Sequence, residues 1–154
     1  MQQSTTVDRT EKNHRFHSDR QTLIQPKSLL VIEDDLSMIQ FIDTILDELK
    51  PGLEWDYVTT GEEAIEKIRR RGRTRGANPY SLVLTDIFLE GEMTGFDVWL
   101  DSMQMFPAMP FVITSSLSFD RYFSILKGVN QTPVYLPKPL TITRCQSVIE
   151  EYFK

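Results

Sequence analysis

The sequence has a single cysteine, Cys145, among its 154 residues, so no disulfide can form within the chain. That fits a reducing compartment. No apolar stretch approaches the roughly 20 residues that a membrane span requires. The polar segment 1–25 lacks the apolar core of a secretory signal, and the cytoplasm is the expected location. Positive charge is also in short supply: 17 Lys and Arg against 22 Asp and Glu leave a net charge of −5. General affinity for nucleic acid is therefore not expected. No internal repeat is present. A hydrophobic fraction of 40% is that of an ordinary globular chain, and this length supports one domain with a real core.

Residues 1–26 mix Gln, Ser, Thr, Asp, Arg and His with few apolar residues, and read as a flexible polar N-terminal tail. From Lys27 onward, apolar runs alternate with helical patterns. Strands are expected at Ser28–Ile32, Glu54–Val58, Ser81–Thr85, Phe111–Thr114 and Val134–Leu136. The first helix is expected over Ser37–Leu49, where Met38, Phe41, Ile42, Ile45, Leu46 and Leu49 recur at i, i+3, i+4 spacing, and Pro51-Gly52 stops it. A second helix is expected over Glu62–Arg70, with Thr60 and Glu63 as a capping box. An Arg-rich loop (69–76) follows it, read as solvated, with contact to an acidic partner or a phosphate-rich surface as the alternative. A third helix begins near Phe96 and ends before Pro107. A fourth lies between Ser118 and Lys127, with Gly128 as its C-cap. The last runs over Ile142–Phe153, with Ile142, Val148, Ile149 and Tyr152 on one face. Five strands alternating with five helices read as an α/β fold, a parallel sheet covered on both faces.

Three of the apolar runs end in residues able to handle a phosphoryl group. Leu29-Leu30-Val31-Ile32 leads into Glu33-Asp34-Asp35, Leu82-Val83-Leu84-Thr85 into Asp86, and Val134-Tyr135-Leu136-Pro137 into Lys138-Pro139. Parallel strands gather their C-terminal ends at one edge, where open α/β sheets bind ligands. Carboxylates brought together there repel unless a cation sits between them. A hard divalent ion such as Mg²⁺ suits oxygen ligands, and a neighbouring ammonium suits an incoming phosphate. Asp35, just ahead of a helix, reads as dipole compensation at the helix N-terminus.

These segments, together with Thr60-Gly61-Glu62-Glu63-Ala64, Met93-Thr94-Gly95-Phe96 and Pro110-Phe111-Val112-Ile113-Thr114-Ser115, resemble the receiver domain of two-component response regulators. The resemblance covers residues 27–154. It implies a flavodoxin-like (βα)5 fold with strand order 2-1-3-4-5. It implies that Asp86 is the phosphoacceptor, since a carboxylate oxygen can attack phosphorus to give an acyl phosphate. It further implies that Glu33, Asp34, Asp86 and the backbone carbonyl of Phe88 hold Mg²⁺. Lys138 would contact a phosphoryl oxygen, with a cis peptide to Pro139, and the Ser115 hydroxyl would donate to the phosphoryl group. Tyr135 would be the aromatic switch that turns inward when Ser115 moves.

The function implied is a phosphorylation-dependent signalling switch of the bacterial phosphorelay type. Its donor would be a histidine kinase or a histidine phosphotransfer protein. It would not be an enzyme on other substrates, although it would catalyse its own phosphoryl transfer and dephosphorylation. Only one helix follows Lys138, so output is expected through a protein target on the face of helix 4, strand 5 and helix 5, where Arg121, Tyr122 and Phe123 are candidates. No nucleic acid or membrane partner is expected, and a homodimer stays open. Phe88 and Leu117 stand where this family tunes phosphate lifetime. Both are apolar and unable to position water, so slow self-dephosphorylation is expected. A receiver-fold interaction module acting without phosphorylation is the alternative reading. A haloacid-dehalogenase-type phosphatase wants a second Asp two residues after its nucleophile, where this chain has Phe88.

Overall fold

A computed structural model describes residues 26–154. The expected tail, 1–26, lies outside the described residues except for Pro26. Five parallel strands form one sheet in the order β2-β1-β3-β4-β5. In chain order the elements are β1 (Ser28–Ile32), α1 (Leu36–Leu49), β2 (Glu54–Val58), α2 (Gly61–Arg75), β3 (Leu82–Asp86), α3 (Gly95–Met105), β4 (Phe111–Ser115), α4 (Phe119–Ile125), β5 (Val134–Pro137) and α5 (Ile142–Tyr152). The alternating pattern predicts the covered parallel sheet, and the strand order is the flavodoxin-like one that the receiver resemblance implies.

Strand periodicity divides the core in two. Leu30, Ile32, Val83, Phe111 and Ile113 point to one face, against Ala64, Ile65 and Ile68 of α2, Val98 and Trp99 of α3, and Tyr122 of α4. Their neighbours Leu29, Val31, Leu82, Leu84 and Val112 point to the other, against Ile42, Ile45 and Leu46 of α1 and Cys145 and Ile149 of α5. The three central strands β1, β3 and β4 are buried along their whole length, which is why they read as unbroken apolar runs.

Several local expectations need correction. The Arg-rich segment is not a loop: α2 continues to Arg75 and closes on Gly76. Two of its arginines, Arg71 and Arg75, turn back to the edge strand, while Arg69, Arg70 and Arg73 are exposed. Arg71 reaches Glu54 (2.6 Å) and Asp56 (3.5 Å), Arg75 reaches Glu54 and Lys67 reaches Asp56. The Arg71 guanidinium also lies 4.5 Å over the Tyr80 ring. The Thr60 side chain accepts from the Glu63 amide, but the reciprocal capping box sits at α3, between Thr94 and Asp97. Helix α4 is capped at Leu126, two residues before Gly128. On α5 the buried stripe continues to Phe153, just past the helix, as Cys145, Ile149 and Phe153, whereas Ile142 is exposed. Tyr122 is fully buried and donates to the Pro133 carbonyl, so it is core and not surface. No helix among the described residues is long and apolar enough to cross a membrane.

Candidate functional site

The parallel sheet carries Glu33, Asp86 and Lys138 to a single edge. Glu33 follows β1 directly, and its amide donates to Val58 at the end of β2. Asp86 is the last residue of β3 and Lys138 the first after β5. The Lys138–Pro139 peptide is cis. The Lys138 ammonium donates to Asp86 Oδ2 at 2.6 Å and to Glu33 Oε2 at 2.9 Å. Ligand oxygens of Glu33, Asp34 and Asp86 lie within 4.8 Å of one another.

Each of the three carboxylates also accepts one backbone N–H. Glu33 Oε1 takes that of Asp35 (3.1 Å), Asp34 Oδ2 that of Glu90 (3.0 Å) and Asp86 Oδ1 that of Phe88 (3.3 Å). The set is oxygen-only, anionic and held from the backbone, as a hard divalent cation requires. Asp35 stands apart: it caps α1, accepting from the amide and hydroxyl of Ser37. Those bonds hold its carboxyl below the usual range.

Burial pushes the Glu33 carboxyl up, against the lowering effect of Lys138 and the Asp35 amide. The same burial works against the Lys138 ammonium, but the hydrogen bonds it donates to Asp86 and Glu33, with the charge of those two carboxylates, outweigh it and hold the lysine above its ordinary value. Protein dipoles and one fixed cation thus partly compensate a cluster of negative charge.

Glycine at position 95 is required by close approach. A Cβ there would collide with the carbonyl of Asp86, and the Gly95 amide donates to Ile87 (2.9 Å). The loop between β3 and α3 therefore closes tightly over the end of β3. Phe88, in that loop, is 57% exposed.

Ser115 ends β4 and is fully buried, with its hydroxyl accepting from the Leu117 amide (3.1 Å). Neighbouring Thr114 spends its hydroxyl on the Thr85 carbonyl (3.4 Å), whereas Ser115 stands at the end of β4 in register with Pro137, the residue before Lys138. The Ser115 carbonyl accepts from the Lys138 amide (2.8 Å) and from the Tyr135 hydroxyl (3.1 Å); that hydroxyl also contacts the Leu117 carbonyl. The Tyr135 ring stacks on Tyr122 with centroids 4.0 Å apart. Ser115 is thus the joint between the lysine and the tyrosine, a backbone connection that residue spacing does not disclose.

No family model and no curated relative matches the chain. Solved structures do. The phosphorylated cyanobacterial phytochrome response regulator RcpA superposes with a TM-score of 0.66 at 21% identity, over 83% of this chain and 94% of that one. The Mn²⁺-bound form of response regulator Rcp1 gives 0.66 at 20% identity, over 84% and 96%. A CheY-like response regulator receiver domain protein from Methanospirillum hungatei gives 0.63 at 24% identity, over 81% and 91%.

Proposed function

Starting from a chain with the response regulator receiver fold, we propose that this protein is a phosphorylation-dependent signalling switch in which Asp86 accepts a phosphoryl group from a phosphohistidine donor. The observation that carries this reading is the Lys138 ammonium held between Asp86 and Glu33, with Asp34 completing an all-oxygen acidic cluster. Glu33, Asp34, Asp86 and the Phe88 carbonyl are the groups that would hold Mg²⁺. When bound, the ion would offset negative charge on the transferring phosphoryl oxygens.

A carboxylate oxygen of Asp86 forms a bond to phosphorus as the phosphorus–nitrogen bond of the donor breaks, leaving its electron pair on the imidazole. The product is an aspartyl phosphate. Lys138 transfers a hydrogen bond from the carboxylate to a phosphoryl oxygen, and the Ser115 hydroxyl gives up the Leu117 amide to donate to another. Because the Ser115 carbonyl holds both Lys138 and Tyr135, its displacement shifts Tyr135 and with it α4 and β5. The face of α4, β5 and α5, where Phe119, Phe123, Val134 and Ile142 are exposed, is the surface proposed to read the change. Its partner is a protein target, with a histidine kinase or histidine phosphotransfer protein as donor.

Incubation with Mg²⁺ and acetyl phosphate, followed by intact-mass measurement, tests the reading. The expected result is a gain of one phosphoryl group in the wild type and none in Asp86→Asn. No gain in the wild type supports an interaction module that works without phosphorylation.

A further inference from the structure

Asp34 does not hold its own position. Its carboxylate is oriented by the Glu90 amide, and Glu90 belongs to the loop that joins β3 to α3. The near end of that loop is fixed by the Gly95 amide on the Ile87 carbonyl. Its outer turn is fixed by a side chain from another element. Glu62, in the first turn of α2, accepts from the amides of Glu92 (2.8 Å) and Met93 (3.0 Å), both on Oε1. Gly91 lies beneath this contact at φ +92°, a conformation that favours glycine, and a Cβ there would stand 2.6 Å from Glu62 Oε2 and crowd the carboxylate. Thr60, two residues before Glu62, bridges to Glu90 itself. The amides of Phe88 and Glu90, which hold Asp86 and Asp34, thus lie on a segment clamped at both ends.

We propose that Glu62 is a positioning residue for the acid site: by clamping the turn at Glu92 and Met93, it fixes the Glu90 amide that aims Asp34 at a divalent cation. This rests on the cation-binding reading of Glu33, Asp34 and Asp86. Groups that orient metal ligands from behind typically contribute 10- to 100-fold in affinity. Glu62 accepts from backbone amides and not from a metal-ligating side chain, so an effect at the lower end is expected.

The test is a Mn²⁺ titration followed by the electron paramagnetic resonance of the free ion, on wild type, Glu62→Ala, Glu62→Gln and Asp34→Ala. Glu62→Ala should weaken binding about tenfold. Glu62→Gln removes the same charge but keeps an oxygen able to accept both amides, and should bind as the wild type does. Amide hydrogen exchange in the metal-free proteins should quicken at Glu90, Glu92 and Met93 in Glu62→Ala but not in Glu62→Gln. Wild-type affinity in Glu62→Ala, or equal loss in both Glu62 variants, overturns the positioning role alone. Wild-type binding that Asp34→Ala leaves unchanged, or no binding by the wild type, overturns the cation site and the positioning role together.

Discussion

Replacing Lys138 by methionine removes the ammonium bonded to two buried acids, Glu33 and Asp86. The Lys138 side chain is 18% exposed, and those of Glu33 and Asp86 are 4% and 11% exposed. Removing one partner of a buried ion pair costs about 3–5 kcal/mol, because the charge left behind is uncompensated. Here the two carboxylates left behind also repel each other. Partial solvent access places Lys138→Met near the lower end, about 3 kcal/mol, or a fall in Tm of roughly 10 °C for a domain of this size. A divalent cation binding the folded state offsets that loss by mass action, so Mg²⁺ should stabilise the variant more than the wild type.

The pH dependence has a definite sign. Burial raises the folded-state value of Glu33 above its ordinary 4.5, so its stabilising contribution is full below that value and is lost as pH rises through the raised one. Without Lys138, which lowers it, the window extends further upward. The stability gap between variant and wild type should therefore be smallest in acid and widen toward neutrality. Urea unfolding followed by circular dichroism, in chelator and in millimolar Mg²⁺ across that pH range, measures all three effects. Equal stability of the two proteins in chelator, or equal gains from Mg²⁺, would refute the reasoning.

Other consequences can be checked separately. Arg71 combines ion pairs to Glu54 and Asp56, a bond to the Pro79 carbonyl and stacking over Tyr80, so Arg71→Ala should cost about 1–2 kcal/mol and Arg71→Lys should not restore it, since an ammonium cannot reproduce the fork or the stack; urea midpoints decide this. Cys145 is buried, and burial pushes its thiol up, so a disulfide reagent should modify it only as fast as the protein opens; rapid labelling of the native protein would contradict this. If Phe88 and Leu117 keep water from an aspartyl phosphate, the modification should be long-lived in Mg²⁺, and a half-life of a few seconds would count against that role.

What the sequence discloses, and what it conceals, follows from the range of the interactions. β1, β3 and β4 are legible because each is buried on both faces, so that one short run carries the whole signal. Glu33, Asp86 and Lys138 are legible because a parallel sheet puts the residues after its strands at one edge. The end of α2 is not. Lys67–Gly76 has the composition of a solvated loop, and the partners of its Arg71 and Arg75, Glu54 and Asp56, lie on β2, outside the segment. Glu62 is hidden for the same reason: two residues after Thr60 it reads as a first-turn acid near the helix dipole, and its partners at Glu92 and Met93 lie 30 residues away. The Thr94–Asp97 box, in contrast, is local and was within reach of spacing alone.

The role of Asp86 is decided most directly by where a phosphoryl group attaches. After treatment with acetyl phosphate and Mg²⁺, borohydride reduction converts an aspartyl phosphate to homoserine, and peptide mass spectrometry locates it. The predicted result is homoserine in place of Asp86, lost when Mg²⁺ is chelated. Homoserine at Asp34 or another acid, or an unmodified chain under conditions where the protein is folded, would contradict the assignment of Asp86 as the acceptor.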